Sequence, residues 1–333
     1  MRRRASLVLL AFAVFFAALS PLLRWYAFPR LAKIPPNQYQ ETVLEAKPAT
    51  LLDYSTLKAE KVDRITIVQT LKGNVEESEK IERSAGRDVV VWDALSYVQG
   101  PDGKMVSKIP ERYIFDAHSQ DPVHATGESV DGDAVNREGI EFKWPFLTEK
   151  RDYEYFDAQT RTSSPIHYEG TRNFRGMDVY YFEQTIPWTK VPMPKTMPIK
   201  GITPEQITKT GVTRWYTTKR MFWVDPVTGA PVNGEEVHKE ELRNGKAMGM
   251  SQDTVTVFAG HVKMREDYIV SIVDQVKSQR VLILLLTSYL PWGFLVLGAG
   301  LLALSLWLEA RSRRPGGTDT VRRKEPEPAP TPA

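Results

Sequence analysis

VLILLLTSYLPWGFLVLGAGLLALSLWL, Val281 to Leu308, runs for about 28 residues without a charge. A helix needs about 20 apolar residues to cross the hydrocarbon of a bilayer, and a soluble core helix this long and this pure would be very unusual. The run exceeds a straight crossing, so it predicts a tilted or kinked transmembrane helix, with Pro291-Trp292-Gly293 as the natural kink. Trp307 stands where interfacial aromatics stand, as do Trp25 and Tyr26 near the other end of the chain.

Working outward, Ala5 to Leu23 is a second apolar run, broken only by Ser6, Ser20 and Pro21. A cleaved signal peptide is the competing reading. The run is longer than a signal core and ends in Arg24-Trp25-Tyr26, not in a small-residue cleavage site, so it reads as a retained anchor. Arg2 to Arg4 precede this span, and Arg311, Arg313 and Arg314 follow the other. The positive-inside rule then places both ends in the cytoplasm and the middle across the membrane. Arg24, Arg30 and Lys33 oppose this placement, but a long translocated domain crosses largely regardless of charge. The small residues Ala13, Ala17, Gly298, Ala299, Gly300 and Ala303 allow close packing of the two helices. The expected layout is a basic tail at 1–4, spans at 5–23 and 281–308, an extracytoplasmic domain at 24–280 and a disordered tail at 309–333.

The 333 residues carry a net charge of +3, concentrated at the two ends, and no cysteine. A near-neutral middle lacks the basic footprint of a nucleic-acid partner. The missing cysteines exclude thiol nucleophiles and thiolate metal sites. The middle reads as strands: Arg64–Leu71 closed by a turn at Gly73-Asn74, Arg87–Val98 closed by Gly100–Gly103, Asp178–Ile186, Thr213–Val224 returning at Glu235–Leu242, and Thr254–Phe258. Thr203-Pro204-Glu205-Gln206 reads as a helix start with a capping box. Lys263–Arg280 has near-helical apolar spacing and forms a stalk that leads into the second span. Pro187–Lys200 reads as a loop. The fold class is a mainly β, membrane-anchored ectodomain between two transmembrane α-helices.

Candidate chemistry is sparse. His118 and His124 flank Asp116 and Asp121 at spacings that match no zinc pattern. Asp131–Asn136 departs from a calcium loop and reads as a polar turn. No catalytic or nucleotide-binding motif occurs, so the expectation is a non-enzyme without metal or cofactor; only clustered, perturbed carboxylates in a cleft would revive an enzyme. The aromatics Phe142, Trp144, Phe146, Tyr153, Tyr155 and Phe156 read either as sheet core or as the lining of an apolar groove for an acyl chain.

Three segments, FKWPFLTEKRDYEYFD (Phe142–Asp157), YEG with GMDVYYFEQ (Tyr168–Gln184) and RMFWVDPVTGAP (Arg220–Pro231), resemble an actinobacterial membrane-protein family, porin PorA. The likeness covers most of the chain and implies a cell-envelope protein; no functional residue is carried over by it. A fainter likeness, through Tyr168–Gly170 and Gly176–Phe182, is to the CD36-like scavenger receptors, two-span proteins whose β-rich ectodomain holds a lipid tunnel. The expectation is therefore an envelope protein that binds or transfers a lipid or other apolar ligand. Its rivals are a channel subunit, which requires a homo-oligomer, and a structural or interaction protein, which requires a packed domain and an envelope partner.

Overall fold

Alternating side chains make the middle of the chain a sheet with two different faces. The computed structural model describes residues 2–196, 203–250 and 252–312, so the tail expected to be disordered lies almost wholly outside the described residues. The chain divides into two compact units, one formed by its two ends and the other by Pro29–Leu285.

In the unit of the two ends, helix α1 (Arg2–Pro21) passes through a π-helical turn, Leu22–Ala27, into the short α2 (Phe28–Leu31). Ser6 and Ser305 exchange hydroxyl-to-carbonyl hydrogen bonds of 3.1 and 2.8 Å. Gly298 lies so close to the Ala13 carbonyl that a Cβ there would meet it at 3.1 Å. Small residues thus bring together α1 and the C-terminal helix that carries Gly298 and Ser305, while Leu7, Val14 and Val296 face outward. Both helices are long and apolar enough to cross a membrane.

Thirteen strands form the other unit's antiparallel sheet: β1 (Tyr39–Asp53), β2 (Lys58–Val62), β3 (Ile65–Gly73), β4 (Val89–Gln99), β5 (Met105–Asp116), β6 (Ser129–Val130), β7 (Asp133–Ala134), β8 (Tyr153–Asp157), β9 (Thr162–Phe174), β10 (Met177–Val191), β11 (Thr213–Val224), β12 (Pro231–Arg243) and β13 (Thr254–Met264). Their order is β7-β6-β5-β4-β3-β1-β13-β12-β11-β10-β9-β8, with β2 beside β1. The first and last strands of this order meet through the segment between β7 and β8. Ile140 bridges to Tyr155 of β8, and Arg161, just after β8, pairs with Asp133 of β7 at 2.6 Å.

One helix and one strand extension differ from the sequence reading. Asn74, expected in a turn, caps α3 (Val75–Ala85), its side chain accepting from the Glu77 amide at 3.2 Å. The stretch from Pro187, expected as loop, extends β10 to Val191 through a register shift between Ile186 and Thr189; bulges tolerate the missing proline donor. The short α4 (Pro204–Lys209) has the expected capping box at Thr203 and Gln206. Asp131-Gly132 is the turn of the β6–β7 hairpin, both residues at positive φ.

The stalk is α5 (Glu266–Leu284), which packs Ile269, Val273 and Val276 on Met177, Val179 and Val232 of the sheet. A second π turn, Leu285–Tyr289, follows it and leads into α6 (Leu290–Ser312). The helical interruption therefore falls ahead of Pro291, not on it. Proline has no N–H to offer the carbonyl four residues back, Thr287, and Arg24 donates to that carbonyl at 2.5 Å.

Candidate functional site

The inner face of the sheet is layered. At one end Trp144, fully buried, meets Tyr155, Phe182 and Phe222 with ring centroids 5.7, 5.1 and 5.2 Å away. Tyr153 joins the same cluster. Phe142 and Phe146 pack instead with Trp92, Tyr113 and Phe115, and Phe156 lies under the Arg137 guanidinium at 4.5 Å. The structure thus divides the six aromatic candidates among three environments. The space beside Trp144 is filled by its neighbours' rings, and an acyl chain entering there would have to displace one of them. Trp144 is held by a turn in which its amide donates to the Gly229 carbonyl at 2.9 Å. Gly229 has φ +72°, and a Cβ on it would sit 2.2 Å from the Trp144 carbonyl oxygen, so only glycine fits.

Lys143 beside this cluster donates to the Trp144 carbonyl at 2.9 Å and stands 3.8 Å over the Phe146 ring. Burial pushes its ammonium down to about 7.

Next along the strands comes a belt of paired charges. Strand alternation puts Glu236, His238 and Glu240 of β12 on the inner face, opposite Arg214, Tyr216, Thr218 and Arg220 of β11. His238 sits between two carboxylates, 2.8 Å from Glu236 Oε1 and 2.8 Å from Glu240 Oε1. Arg214 donates to Glu240 at 2.8 Å, and Arg220 to Asp157 of β8 at 2.9 Å and to Gln184 of β10 at 3.0 Å. Burial alone would lower His238, but the hydrogen bonds to Glu236 and Glu240 overturn that and raise it to about 9. Burial likewise would raise Glu240, and the attraction of Arg214 wins, bringing it down to about 2. The belt is a set of buried ion pairs in which each guanidinium and the imidazole meet a carboxylate.

A second polar cluster closes the sheet where its ends meet. Arg137 is fully buried and donates to Glu141 and Glu111, each at 2.8 Å, and to the Arg112 carbonyl at 3.0 Å. Glu128 is buried nearby with Oε1 unpartnered. Burial raises Glu111 well above the usual carboxylate range, and repulsion by Glu141 adds to it; burial also raises Glu141 and Glu128. These are clustered, perturbed carboxylates, and all three residues are buried. No group of three metal-ligating side chains occurs among the described residues, and His118 instead contacts Asp88 at 2.9 Å and the Ala32 carbonyl at 3.0 Å.

Sequence reasoning passed over both charged clusters. The belt had a signal: Glu236-x-His238-x-Glu240 inside a strand must share one face. The Arg137 cluster had none, because its members come from a strand and a long irregular connection.

A family model described as Porin PorA matches residues 5–307. Among individual relatives, a "Porin PorA" of Corynebacterium resistens is 27% identical over 40% of this chain and 46% of that protein. Another "Porin PorA", of Corynebacterium amycolatum, is 22% identical over 71% of this chain and 77% of that protein. The chain thus spans about half the length of the first relative and most of the second. With the family model covering nearly all of the sequence from the first apolar helix to the last, the chain belongs to the porin PorA family.

Proposed function

We propose that this protein is anchored in the cytoplasmic membrane by two helical spans, with both termini inside, and presents its sheet domain to the envelope as a recognition surface. The observation that carries this reading is the charge on the outer face of the sheet. Glu183, Lys219, Glu235, Lys239 and Lys263 lie there, tied in pairs such as Lys219–Glu183 at 2.7 Å. A strand that faces lipid shows an apolar outer side, so these strands stand in water and the apolar helices do the crossing. The inner face is occupied by packed rings and paired charges, and α5 covers the Met177–Val179 part of the outer face, which leaves the charged remainder of that face for partners.

The protein has no cysteine, so single cysteines report topology directly. Val237→Cys, on an exposed outer-face position, is expected to react with a membrane-impermeant maleimide in intact spheroplasts. A cysteine at Thr331 is expected to react only after lysis. Protection of the first or exposure of the second ends this reading.

A second reading, a channel subunit, is favoured by the relatives' names. Such a channel would be assembled from helices of several copies. Purified full-length protein in planar bilayers is its test, and silence of the oligomer at high protein density removes it.

A further inference from the structure

We infer that the outer face of β10–β12 is a binding platform for an acidic polysaccharide of the envelope. The inference rests on the sheet domain standing outside the cytoplasmic membrane. The register shift after Ile186 turns Trp188 onto this face, where it is 37% exposed. Trp215, paired with Lys190 of β10 and Glu241 of β12, shares the face. The Arg243 guanidinium lies 4.2 Å from the Trp215 ring centre and 5.0 Å from that of Trp188, and Lys239 lies 5.4 Å from Trp188.

Two indoles thus alternate with two cations on the outer face of adjacent strands. Glu241 answers Lys239 at 2.8 Å and Arg243 only at 3.5 Å, while Lys190 is exposed and makes no ion pair among the described residues. The patch keeps a positive excess. A guanidinium steadied by aromatic faces presents its N–H edge for bidentate contact with a carboxylate or phosphate. A sugar ring lays its polarised C–H face on the negative face of an indole, and a polymer that alternates rings with anions meets both features at once. A protein partner fits less well, since hot spots sit in desolvated apolar centres and, among the described residues, the exposed large apolar side chains of these strands are Trp188 and Val237. Net +3 over the whole chain gives no general anion attraction, so binding depends on the patch.

The test uses full-length protein in nanodiscs of neutral lipid, which measures binding independently of topology. Tryptophan fluorescence is titrated with tetragalacturonate, maltotetraose and a thymidine octanucleotide, and pelleting with phosphatidylglycerol vesicles is scored alongside. The expected result is saturable, salt-sensitive quenching by tetragalacturonate, weakened about tenfold in Trp188→Ala and in Arg243→Gln and largely kept in Trp188→Phe. Maltotetraose is expected to bind far more weakly. Absence of saturable tetragalacturonate binding, equal or tighter binding of the octanucleotide, or binding to the vesicles alone overturns the proposal. Undiminished binding in both Trp188→Ala and Arg243→Gln overturns it as well. Lys190→Gln, at an exposed position, provides a second weakening variant should Arg243→Gln melt early.

Discussion

Arg137 holds together parts of the sheet domain that are far apart in sequence, and its surroundings are unbalanced. Two carboxylates bind it directly and a third is buried close by, so three acids face one base. Removing the guanidinium would strand buried carboxylates, and Arg137→Met is expected to cost about 3–5 kcal/mol in urea unfolding. Each carboxyl here is raised above its ordinary value, so the folded state holds protons that the unfolded chain releases. The stability from these groups is complete below an ordinary carboxylate pKa and is lost as pH rises toward the folded values. Glu141→Gln is expected to flatten that part of a melting-temperature profile. The belt gives two further windows. His238 is raised to about 9, so its contribution fades as pH climbs from about 6.5 to 9. Glu240 is depressed to about 2, so its contribution is lost as pH falls from about 4.5 toward 2. His238→Gln is expected to remove the alkaline loss from a melting-temperature profile, and an unchanged alkaline limb refutes it.

At the scale of elements, the helices are fixed by local chemistry and the sheet closure by backbone fit. Asn74 accepts from the Glu77 amide and also donates to Asp93 at 2.9 Å. Asn74→Ala is expected to cost at least about 1 kcal/mol, with α3 fraying in hydrogen exchange before the strands. Gly139 has φ +72°, and a Cβ there would meet the Glu154 carbonyl oxygen at 2.1 Å. Gly139→Ala must therefore part Ile140 from β8, and early exchange of the Ile140 and Phe156 amides would show it. Protection equal to that of the parent would mean the closure does not depend on this approach. In the helical pair, Ser6→Ala with Ser305→Ala is expected to weaken the contact by about 0.6 kcal/mol, the usual worth of such a bond between membrane helices.

For the whole molecule, composition and periodicity carried a good part of the architecture. The uncharged runs at both ends dictate long apolar helices, because length and apolarity are properties of a contiguous segment. Alternation dictates β11, whose bounds match those read from Thr213–Val224. The same holds for the α4 capping box, which needs only neighbours in sequence. Strands β1, β5, β8 and β9 escaped notice because their apolar and polar positions do not alternate cleanly; β1 contains Pro48, and β9 is mostly exposed. The six aromatics were legible as a cluster in sequence, but adjacency along a chain does not say which layer each ring joins, and a bend at Phe142 and Leu147, both at positive φ, sends them apart. The sequence by itself determined two apolar helices, an intervening β domain and the family. Only the tertiary structure decided that the ends of the sheet meet over Arg137, that His238 is clasped by two glutamates, and that Trp188, Arg243 and Trp215 share one outer surface. The reason is physical: segment properties follow from contiguous residues, whereas burial, ion pairing and stacking arise between residues that the sheet's register alone brings together.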